Sequence, residues 1–398
     1  MKKPIQKRPN VILYSVGGAL LKAYCKIKYR MQSNKIKLSP DGGLILANHQ
    51  SSLDAFIMLA ALYPNRLNSV AAYYYFLNKY SRAFLNMLGV IPKYQFSSDY
   101  ESVKKMLSVV KNKGYLALMP EGTVPMTGKI EYVAPSIASL IKLLKTNVYT
   151  CKIDGSSLAC PKWAKYDKKG KVVATTQLLF NKEEVAKLSV DEILQKLKDA
   201  LWYDDFEYLK ENNLTFKGKD KAEGLEKLIH ICPHCLNQGS IKTEGDEIFC
   251  SKCGLKATLD DKLQLHFNAE QYFDDFYQWY KFQENIYNQE VIADDFVMTD
   301  KVKYLSQLDG NPKYTCISEG VMTLNSEGFR YKSNDNSLEM FYPIAKVPML
   351  VLDAGKNFEL PYDNGIKCFE PEDKTKVIKW YGVARILFDL NQKERKDE

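Results

Sequence analysis

The sequence predicts an α/β domain, a small cysteine-containing module and an α+β domain, in that order along 398 residues. In the first half, apolar runs of strand length end in polar motifs and are followed by helical patterns. Two Cys-x2-Cys pairs lie near the middle of the chain. Short strand-like runs separated by turns fill the last part, before a closing helical pattern. A chain of this length is expected to hold two or three domains.

The amino-terminal segment, residues 1–31, is basic and amphipathic. Ten Lys or Arg residues precede the first acidic residue, Asp41. Asn10 is expected to cap a helix that begins at Val11 and carries an apolar stripe beside basic side chains. Its apolar stretch, residues 11–21, is shorter than the ~20 residues that span a bilayer. We therefore expect an interfacial helix on an anionic membrane surface, although a core helix of a globular domain has the same pattern.

His49 and Asp54 form a candidate catalytic pair. His49 follows an apolar run, residues 42–47, and Ser51 and Ser52 are expected to cap a helix whose first turn contains Asp54. A His that precedes a helix can fold back onto an Asp in its first turn. An imidazole can take a hydroxyl proton at neutral pH, and a carboxylate on its other nitrogen fixes the tautomer. A His followed by an Asp is, on its own, more often a plain helix start.

A second polar motif, Pro120-Glu121-Gly122-Thr123, closes another strand-like run, residues 114–119. Such a turn is expected to leave backbone N–H groups and a hydroxyl facing a ligand. In open α/β sheets, sites form outside the carboxyl ends of strands. The two motifs are therefore expected to share one site.

In this order and spacing, the block Asn48-His49-x4-Asp54 and the block Pro120-Glu121-Gly122-Thr123 resemble those of the glycerolipid acyltransferases of the lysophosphatidate (1-acylglycerol-3-phosphate) acyltransferase type. The resemblance covers about residues 10–200. It implies an α/β acyltransferase domain, a mixed sheet flanked by helices, at residues 32–211. It also implies transfer of a fatty acyl group from acyl-CoA, acyl carrier protein or an acyl phosphate to the hydroxyl of a lysophospholipid, in membrane phospholipid synthesis.

The resemblance also assigns roles to residues. His49 would be the general base and Asp54 its partner. Glu121, Gly122 and Thr123 would bind substrate or stabilise the oxyanion. The acceptor hydroxyl is the nucleophile in this chemistry, so no covalent acyl-enzyme is implied.

The chain departs from the family's pattern at two arginines. Gln95 and Val124 stand where the family has Arg residues that are thought to bind an acceptor phosphate, and few side chains match an Arg fork there. Lys93 and Lys129 lie close to these blocks and are candidates to bind phosphate as point charges, although a lysine in such a place is more often simply a solvated surface residue. An acceptor without phosphate, such as a glycolipid, stays open.

Cys232, Cys235, Cys250 and Cys253 form two Cys-x2-Cys knuckles at the spacing of a zinc ribbon, within the predicted linker and ribbon at residues 212–260. Four thiolates favour Zn²⁺ with no open position, so we expect a structural site. A redox dithiol and incidental thiols are the alternatives. Acidic residues offset the lysines around the knuckles, which argues against nucleic acid as a partner.

The last part of the chain is organised differently. Residues 261–312 are expected to be an aromatic-rich connector with a helix over residues 269–288. Residues 313–398 show strands and a carboxyl-terminal helix that resemble, in architecture only, the pleckstrin-homology (PH)-like fold. Residues 261–398 carry a net charge of −7 and residues 1–260 a net charge of +15, so the first part is expected to face the membrane.

The sequence therefore predicts a lysolipid acyltransferase, peripheral or monotopic on the cytoplasmic face of the cell membrane. Its expected partners are the anionic membrane surface, the lysolipid acceptor and, where the donor requires it, acyl carrier protein. The alternative is a non-catalytic, zinc-stabilised membrane scaffold that binds lipid without turning it over.

Overall fold

The computed structural model describes residues 5–94, 99–293, 295–307, 313–362 and 365–397. The chain divides into two compact units. The first unit comprises Met1–Lys162 and Asp167–Lys217, and the second comprises Trp163–Tyr166 and Gly218–Glu398.

A mixed seven-stranded sheet organises the first unit. Its strands are β1 (Gln32–Ser33), β2 (Gly43–Ala47), β3 (Leu67–Ala72), β4 (Ile91–Lys93), β5 (Tyr115–Leu118), β6 (Val148–Asp154) and β7 (Val173–Phe180). The strand order is β1-β7-β6-β2-β5-β3-β4. The five strands from β6 to β4 are parallel, whereas β7 runs antiparallel to β6 and β1 runs parallel to β7. The expected mixed α/β sheet is confirmed.

Helices flank this sheet. They are α1 (Val11–Lys28), α2 (Asp54–Leu62), α3 (Lys79–Met87), α4 (Tyr100–Lys111), α5 (Ser136–Leu144), α6 (Ser156–Ala159), α7 (Lys182–Lys187), α8 (Val190–Leu201) and α9 (Asp205–Glu211), with a 3-10 turn at Tyr73–Phe76. All five residues of β2 are buried, as expected for a central parallel strand that is covered on both faces. The core includes Leu44 and Leu46 of β2, Leu116 of β5 and Ile141 of α5.

The two polar motifs follow strands as the sequence predicts. β2 ends at Ala47 and β5 ends at Leu118, and the two strands are adjacent and parallel, so His49 and Glu121 lie at the same edge. The expected cap of α2 by Ser51 or Ser52 is wrong. Leu53 is the cap residue and makes no side-chain cap bond, because its side chain has no acceptor. The hydroxyl of Ser51 instead accepts from the backbone N–H of Leu53 at 3.1 Å, and the carboxylate of Asp54 binds the backbone N–H groups of Gln50 and Ser51.

Helix α1 begins at Val11, and the side chain of Asn10 accepts a hydrogen bond of 3.0 Å from the backbone N–H of Leu13. This confirms the predicted cap. The apolar stripe of α1 is not in the core: Ile12 is 73% exposed and Leu20 is 68% exposed. None of the helices in the described ranges is long and apolar enough to cross a bilayer.

The second unit begins with a small antiparallel sheet in the order β11-β10-β9-β8. Its strands are β8 (Ile241–Glu244), β9 (Glu247–Cys250), β10 (Lys256–Leu259) and β11 (Leu265–Phe267), preceded by a 3-10 turn at Leu225–Lys227. Within the segment predicted as linker and ribbon, residues 212–260, Phe216 and Ala222 are fully buried.

An antiparallel seven-stranded sheet follows, in the order β15-β14-β13-β12-β18-β17-β16. Its strands are β12 (Met298–Gln307), β13 (Tyr314–Leu324), β14 (Gly328–Ser333), β15 (Glu339–Pro343), β16 (Val351–Asp353), β17 (Asn357–Tyr362) and β18 (Gly365–Pro371), with 3-10 turns at Ile344–Lys346 and Lys374–Lys376. The sheet begins at Met298, in residues that the sequence interpretation placed in the connector. Buried and exposed residues largely alternate along β12, and this is the strand pattern that was missed in the sequence. A PH-like identity stays a prediction.

Two long helices complete this unit, α10 (Phe276–Ile292) and α11 (Val377–Asp397). The aromatic helix starts seven residues later than predicted, because Asp275 caps it by accepting from the backbone N–H of Gln278 at 2.9 Å. Trp279 is buried as expected. Its indole N–H donates to the carbonyl of Ile231 at 2.8 Å and so holds α10 against the segment that enters the first knuckle.

Candidate active site

The imidazole of His49 is held by Asp54. Nδ1 of His49 lies 3.1 Å from Oδ2 of Asp54, and the His49 side chain is 23% exposed whereas that of Asp54 is fully buried. No hydrogen-bond partner of Nε2 lies among the described residues. The carboxylate thus fixes a proton on Nδ1 and leaves Nε2 as the basic nitrogen.

Asp54 organises the loop that carries His49. Its Oδ2 accepts from the backbone N–H groups of Gln50 at 2.5 Å and Ser51 at 2.7 Å. Its Oδ1 accepts from the hydroxyls of Ser51 at 3.1 Å and Ser156 at 2.5 Å. Together with Nδ1 of His49, five donors therefore converge on one buried carboxylate, which satisfies it as an acceptor and fixes its orientation.

Glu121 supports the backbone of His49. Its Oε1 accepts from the backbone N–H of His49 at 2.6 Å, and its Oε2 accepts from the hydroxyl of Tyr203 at 3.0 Å. The side chain is 1% exposed. Burial raises the pKa of the Glu121 carboxyl well above its usual range. Both carboxylate oxygens of Glu121 therefore accept from protein donors, and the binding of substrate by Glu121 stays a prediction.

Asp205, the first residue of α9, is a second buried carboxylate, and it binds groups at the same edge of the sheet. Its Oδ1 accepts from Nε2 of Gln50 at 3.1 Å and from the backbone N–H of Gly155 at 2.8 Å. Its Oδ2 accepts from the backbone N–H of Ser157 at 3.1 Å and from the Ser157 hydroxyl at 2.6 Å. Burial outweighs these donors and raises the pKa of Asp205 to about 7.

Gly122 and Thr123 follow Glu121 in the turn. Gly122 has a φ of +75°, a conformation that favours glycine, and its N–H donates to the carbonyl of Met119 at 3.3 Å. That N–H closes the turn, which differs from the expectation that it faces a ligand. Thr123 is buried, with 6% exposure.

The lysines near the site differ in their surroundings. Lys93 ends β4, at the same carboxyl edge as His49, and burial lowers the pKa of its ammonium. Lys129 is in an ion pair with Asp204, so its charge is already compensated. Lys162, which the sequence analysis did not single out, donates to the carbonyl of Val124 at 2.9 Å. Gln95 lies outside the described residues.

Sequence reasoning missed three supporting residues, Tyr203, Ser156 and Asp205. Ser156 follows β6, a third strand that ends at the same edge, so the rule that found His49 and Glu121 would have found it. Tyr203 and Asp205 are distant in sequence from both motifs, and no local pattern marks them.

The four knuckle cysteines of the second unit come together. Their sulfur atoms all lie within 4.8 Å of one another, with Sγ–Sγ distances of 3.6 Å for Cys232–Cys253 and 3.8 Å for Cys235–Cys250. Ligands at the Zn–S distance of about 2.3 Å in a tetrahedron are about 3.8 Å apart. The donor set and its spacing therefore fit a zinc ion.

The fold and the His49–Asp54 pair define an α/β domain with a buried carboxylate and a partly exposed imidazole in contact at the carboxyl edge of its sheet. Comparison with known families shows that residues 27–154 match the model of the family described as Acyltransferase.

Comparison with solved structures finds the crystal structure of the 1-acyl-sn-glycerophosphate (LPA) acyltransferase PlsC from Thermotoga maritima. The match has 17% sequence identity and a TM-score of 0.42, and it covers 50% of this chain and 79% of that chain. Comparison with curated protein sequences found no match.

Proposed function

We propose that this protein transfers a fatty acyl group from an activated acyl donor to the hydroxyl of a lysolipid, with His49 as the general base. The observation that carries the proposal is the 3.1 Å contact between Nδ1 of His49 and Oδ2 of Asp54 in a partly exposed ring. With Nδ1–H held by the carboxylate, Nε2 is the ring nitrogen that would accept the proton of the acceptor hydroxyl. The acyltransferase domain match over residues 27–154 supports the reaction class.

In the proposed reaction, the acceptor oxygen attacks the donor carbonyl carbon while its proton passes to Nε2 of His49. The resulting imidazolium is stabilised by Asp54. Collapse of the tetrahedral intermediate breaks the bond to the leaving group, which takes the proton back from His49. With acyl-CoA or acyl carrier protein the product is a free thiol, and with an acyl phosphate it is inorganic phosphate.

For the acceptor we propose a lysophospholipid such as 1-acylglycerol-3-phosphate. Two cations support a phosphate headgroup: Lys93 at the carboxyl edge of the sheet, and Lys162, whose ammonium lies at the carbonyl of Val124. Val124 is one of the positions where the family has an arginine, so Lys162 brings a positive charge to that position from elsewhere in the chain. We place Lys129 second to these two, because Asp204 already neutralises it.

We also propose that the protein binds the cytoplasmic face of an anionic membrane through α1. The exposed apolar stripe of α1 and the basic residues of its last turn, Lys26 and Lys28, support this placement. In the second unit, the four knuckle cysteines are proposed to hold one structural zinc ion, as their sulfur spacing supports.

The test is transfer of a labelled acyl chain from each donor class to lysolipids with and without phosphate headgroups. The wild-type protein is compared with His49→Ala and with His266→Ala. His266 is a matched control, because it pairs with Asp260 at 2.9 Å and is 57% exposed in the second unit. Product formation that is lost in His49→Ala and kept in His266→Ala is expected.

Turnover by His49→Ala within a few-fold of wild type would overturn the role of His49. No product from wild-type protein with any donor and acceptor would favour the lipid-binding scaffold. Lys93→Ala and Lys162→Ala should raise the KM for phosphate-bearing acceptors more than for neutral ones, since each would remove a cation that neutral lipids do not use.

A further inference from the structure

The segment that follows β3 exposes an unusual number of aromatic side chains. Helix α3 contains no buried residue, and Tyr80 is 74% exposed and Phe84 48% exposed. Tyr74, Tyr75 and Met87 are similarly exposed. A surface helix of a globular domain normally buries its apolar face. The apolar stripe of α3 instead faces outward, which marks an interaction surface.

This segment is anchored to the first unit. Phe76 and Leu77, which belong to the segment, are themselves buried. Asn78 caps α3 by accepting from the backbone N–H of Tyr80 at 2.9 Å, and Nε of Arg82 donates to the carbonyl of Phe76 at 2.6 Å. The structure therefore presents the exposed rings on a fixed support.

The carboxyl-terminal end of α3 adjoins the amino-terminal end of α1. The backbone N–H of Asn10, the cap of α1, donates to the carbonyl of Met87, the last residue of α3, at 2.9 Å. Asn68 reinforces this junction, because its Nδ2 donates to the carbonyls of Lys7 at 2.8 Å and Gly89 at 2.7 Å. The exposed apolar residues of the two helices thus belong to adjoining elements.

The part of the chain that carries this surface is basic in sequence. Residues 1–94 contain fourteen Lys or Arg residues and two acidic residues, Asp41 and Asp54. Asp54 is buried, and Asp41 pairs with Lys113 at 2.9 Å. Exposed aromatic rings within so basic a segment match the interface of an anionic bilayer, where rings sit at the headgroup level and lysines and arginines meet lipid phosphates.

The segment borders the candidate active site. β2, β5 and β3 are parallel neighbours, so residue 73, which follows β3, lies at the same edge as His49. Tyr73 stacks on Tyr94, with ring centroids 4.4 Å apart, directly after Lys93. An element that entered the bilayer here would bring the base and the proposed phosphate cation to the lipid surface.

We propose that residues 73–87 form a second membrane-binding element, which works with α1 to seat the carboxyl edge of the sheet on an anionic bilayer. A lysolipid would then reach His49 from the plane of the membrane. The identity of that lipid rests on the proposed function, whereas the membrane contact does not.

The test is sedimentation with vesicles of phosphatidylcholine plus phosphatidylglycerol, and with vesicles of phosphatidylcholine alone. The full-length protein is compared with the double variant Tyr80→Ser, Phe84→Ser. The matched control is Leu143→Ser, Leu178→Ser, which removes two side chains of about half exposure, 50% and 49%, elsewhere in the first unit. Thermal unfolding verifies that each variant is folded.

The Tyr80, Phe84 variant is expected to bind anionic vesicles about tenfold more weakly than wild type, because two interfacial rings are lost, and the control variant is expected to bind normally. Equal binding by the two variants would overturn the proposal. The proposal would also be overturned if wild type failed to bind vesicles and instead self-associated, and if the Tyr80, Phe84 variant lost that self-association. The surface would then join two copies of the chain.

His49→Ala separates this proposal from the proposed function. It is expected to bind vesicles like wild type even though it does not turn over substrate. In an assay with a short-chain lysolipid below its micelle concentration, the Tyr80, Phe84 variant should keep its turnover. Loss of that turnover would mean that the segment serves the reaction directly, which would contradict a membrane-docking role.

Discussion

The carboxylate of Glu121 accepts a hydrogen bond of 2.6 Å from the backbone N–H of His49. Because Glu121 follows β5 and His49 follows β2, this bond joins the ends of two neighbouring strands. Tyr203 binds the other oxygen of Glu121 and also lies 3.4 Å from the carbonyl of His49. The backbone that carries the proposed base is therefore held on both sides by buried groups.

This relationship predicts that Glu121→Ala lowers kcat by about 10²-fold, because a base that shifts by a fraction of an ångström loses its alignment. It should also destabilise the protein by about 1–3 kcal/mol, since the N–H of His49 loses its partner. Glu121→Gln should keep most activity. In this variant the amide oxygen can accept from the backbone N–H of His49. The amide is also uncharged, like the neutral carboxyl that the raised pKa of Glu121 favours. Steady-state kinetics and urea unfolding of both variants measure these effects; equal losses in Ala and Gln would contradict them.

The sequence was sufficient to predict the strand ends and the His49–Asp54 pair, because both depend on local pattern. The run of residues 42–47 is apolar since β2 is buried on both faces, and five residues suffice to bring Asp54 back to His49. The role of Glu121 was beyond local pattern. Its partner Tyr203 is 82 residues away in the sequence, and only the folded structure shows that the two residues are in contact.

Prediction of the second unit was weaker for a related reason. The spacing of the cysteines predicts their cluster directly, because the two cysteines of each Cys-x2-Cys knuckle are only three positions apart. The start of the large sheet at Met298 was missed because β12 alternates charged and apolar residues within an acidic, aromatic stretch, and its assignment depends on pairing with β13 and β18.

Asp54→Asn should lower kcat roughly 10³–10⁴-fold, because an amide cannot hold the Nδ1–H tautomer of His49 as a carboxylate does. Ser156→Ala, which removes one of the five donors to Asp54, is the milder comparison, and we expect a loss of about tenfold or less. Single-turnover kinetics separate chemistry from product release. An Asp54→Asn enzyme as active as Ser156→Ala would show that the carboxylate is only a structural acceptor.

Asp205 should make stability fall as pH rises. Its pKa is about 7 in the folded protein and about 3.9 for an ordinary Asp, so the folded state binds the extra proton between these values. Its contribution to stability is therefore present below pH 4 and lost as pH rises through 7. Between pH 5 and pH 8 the loss is about 2–3 kcal/mol.

Urea unfolding of wild type and Asp205→Asn at both pH values measures this contribution. The amide of the variant has no proton to lose, so the free energy of unfolding of the variant, relative to wild type, should improve by about 2–3 kcal/mol at the higher pH. Other titrating groups cancel in the comparison. A difference that stays constant with pH, or that changes in the opposite direction, would contradict the raised pKa of Asp205.

Zinc should be bound at one ion per chain and should stabilise the second unit. Metal analysis of the purified protein measures the content, and calorimetry before and after chelation measures the stability. Cys235→Ser should abolish zinc binding and lower the melting transition by about 10 °C or more, because the binding free energy of a structural zinc is folding free energy. Cys316→Ser is the matched control, since Cys316 is also exposed but lies outside the cluster. Equal zinc content in Cys235→Ser and Cys316→Ser would show that the four thiols do not form a metal centre.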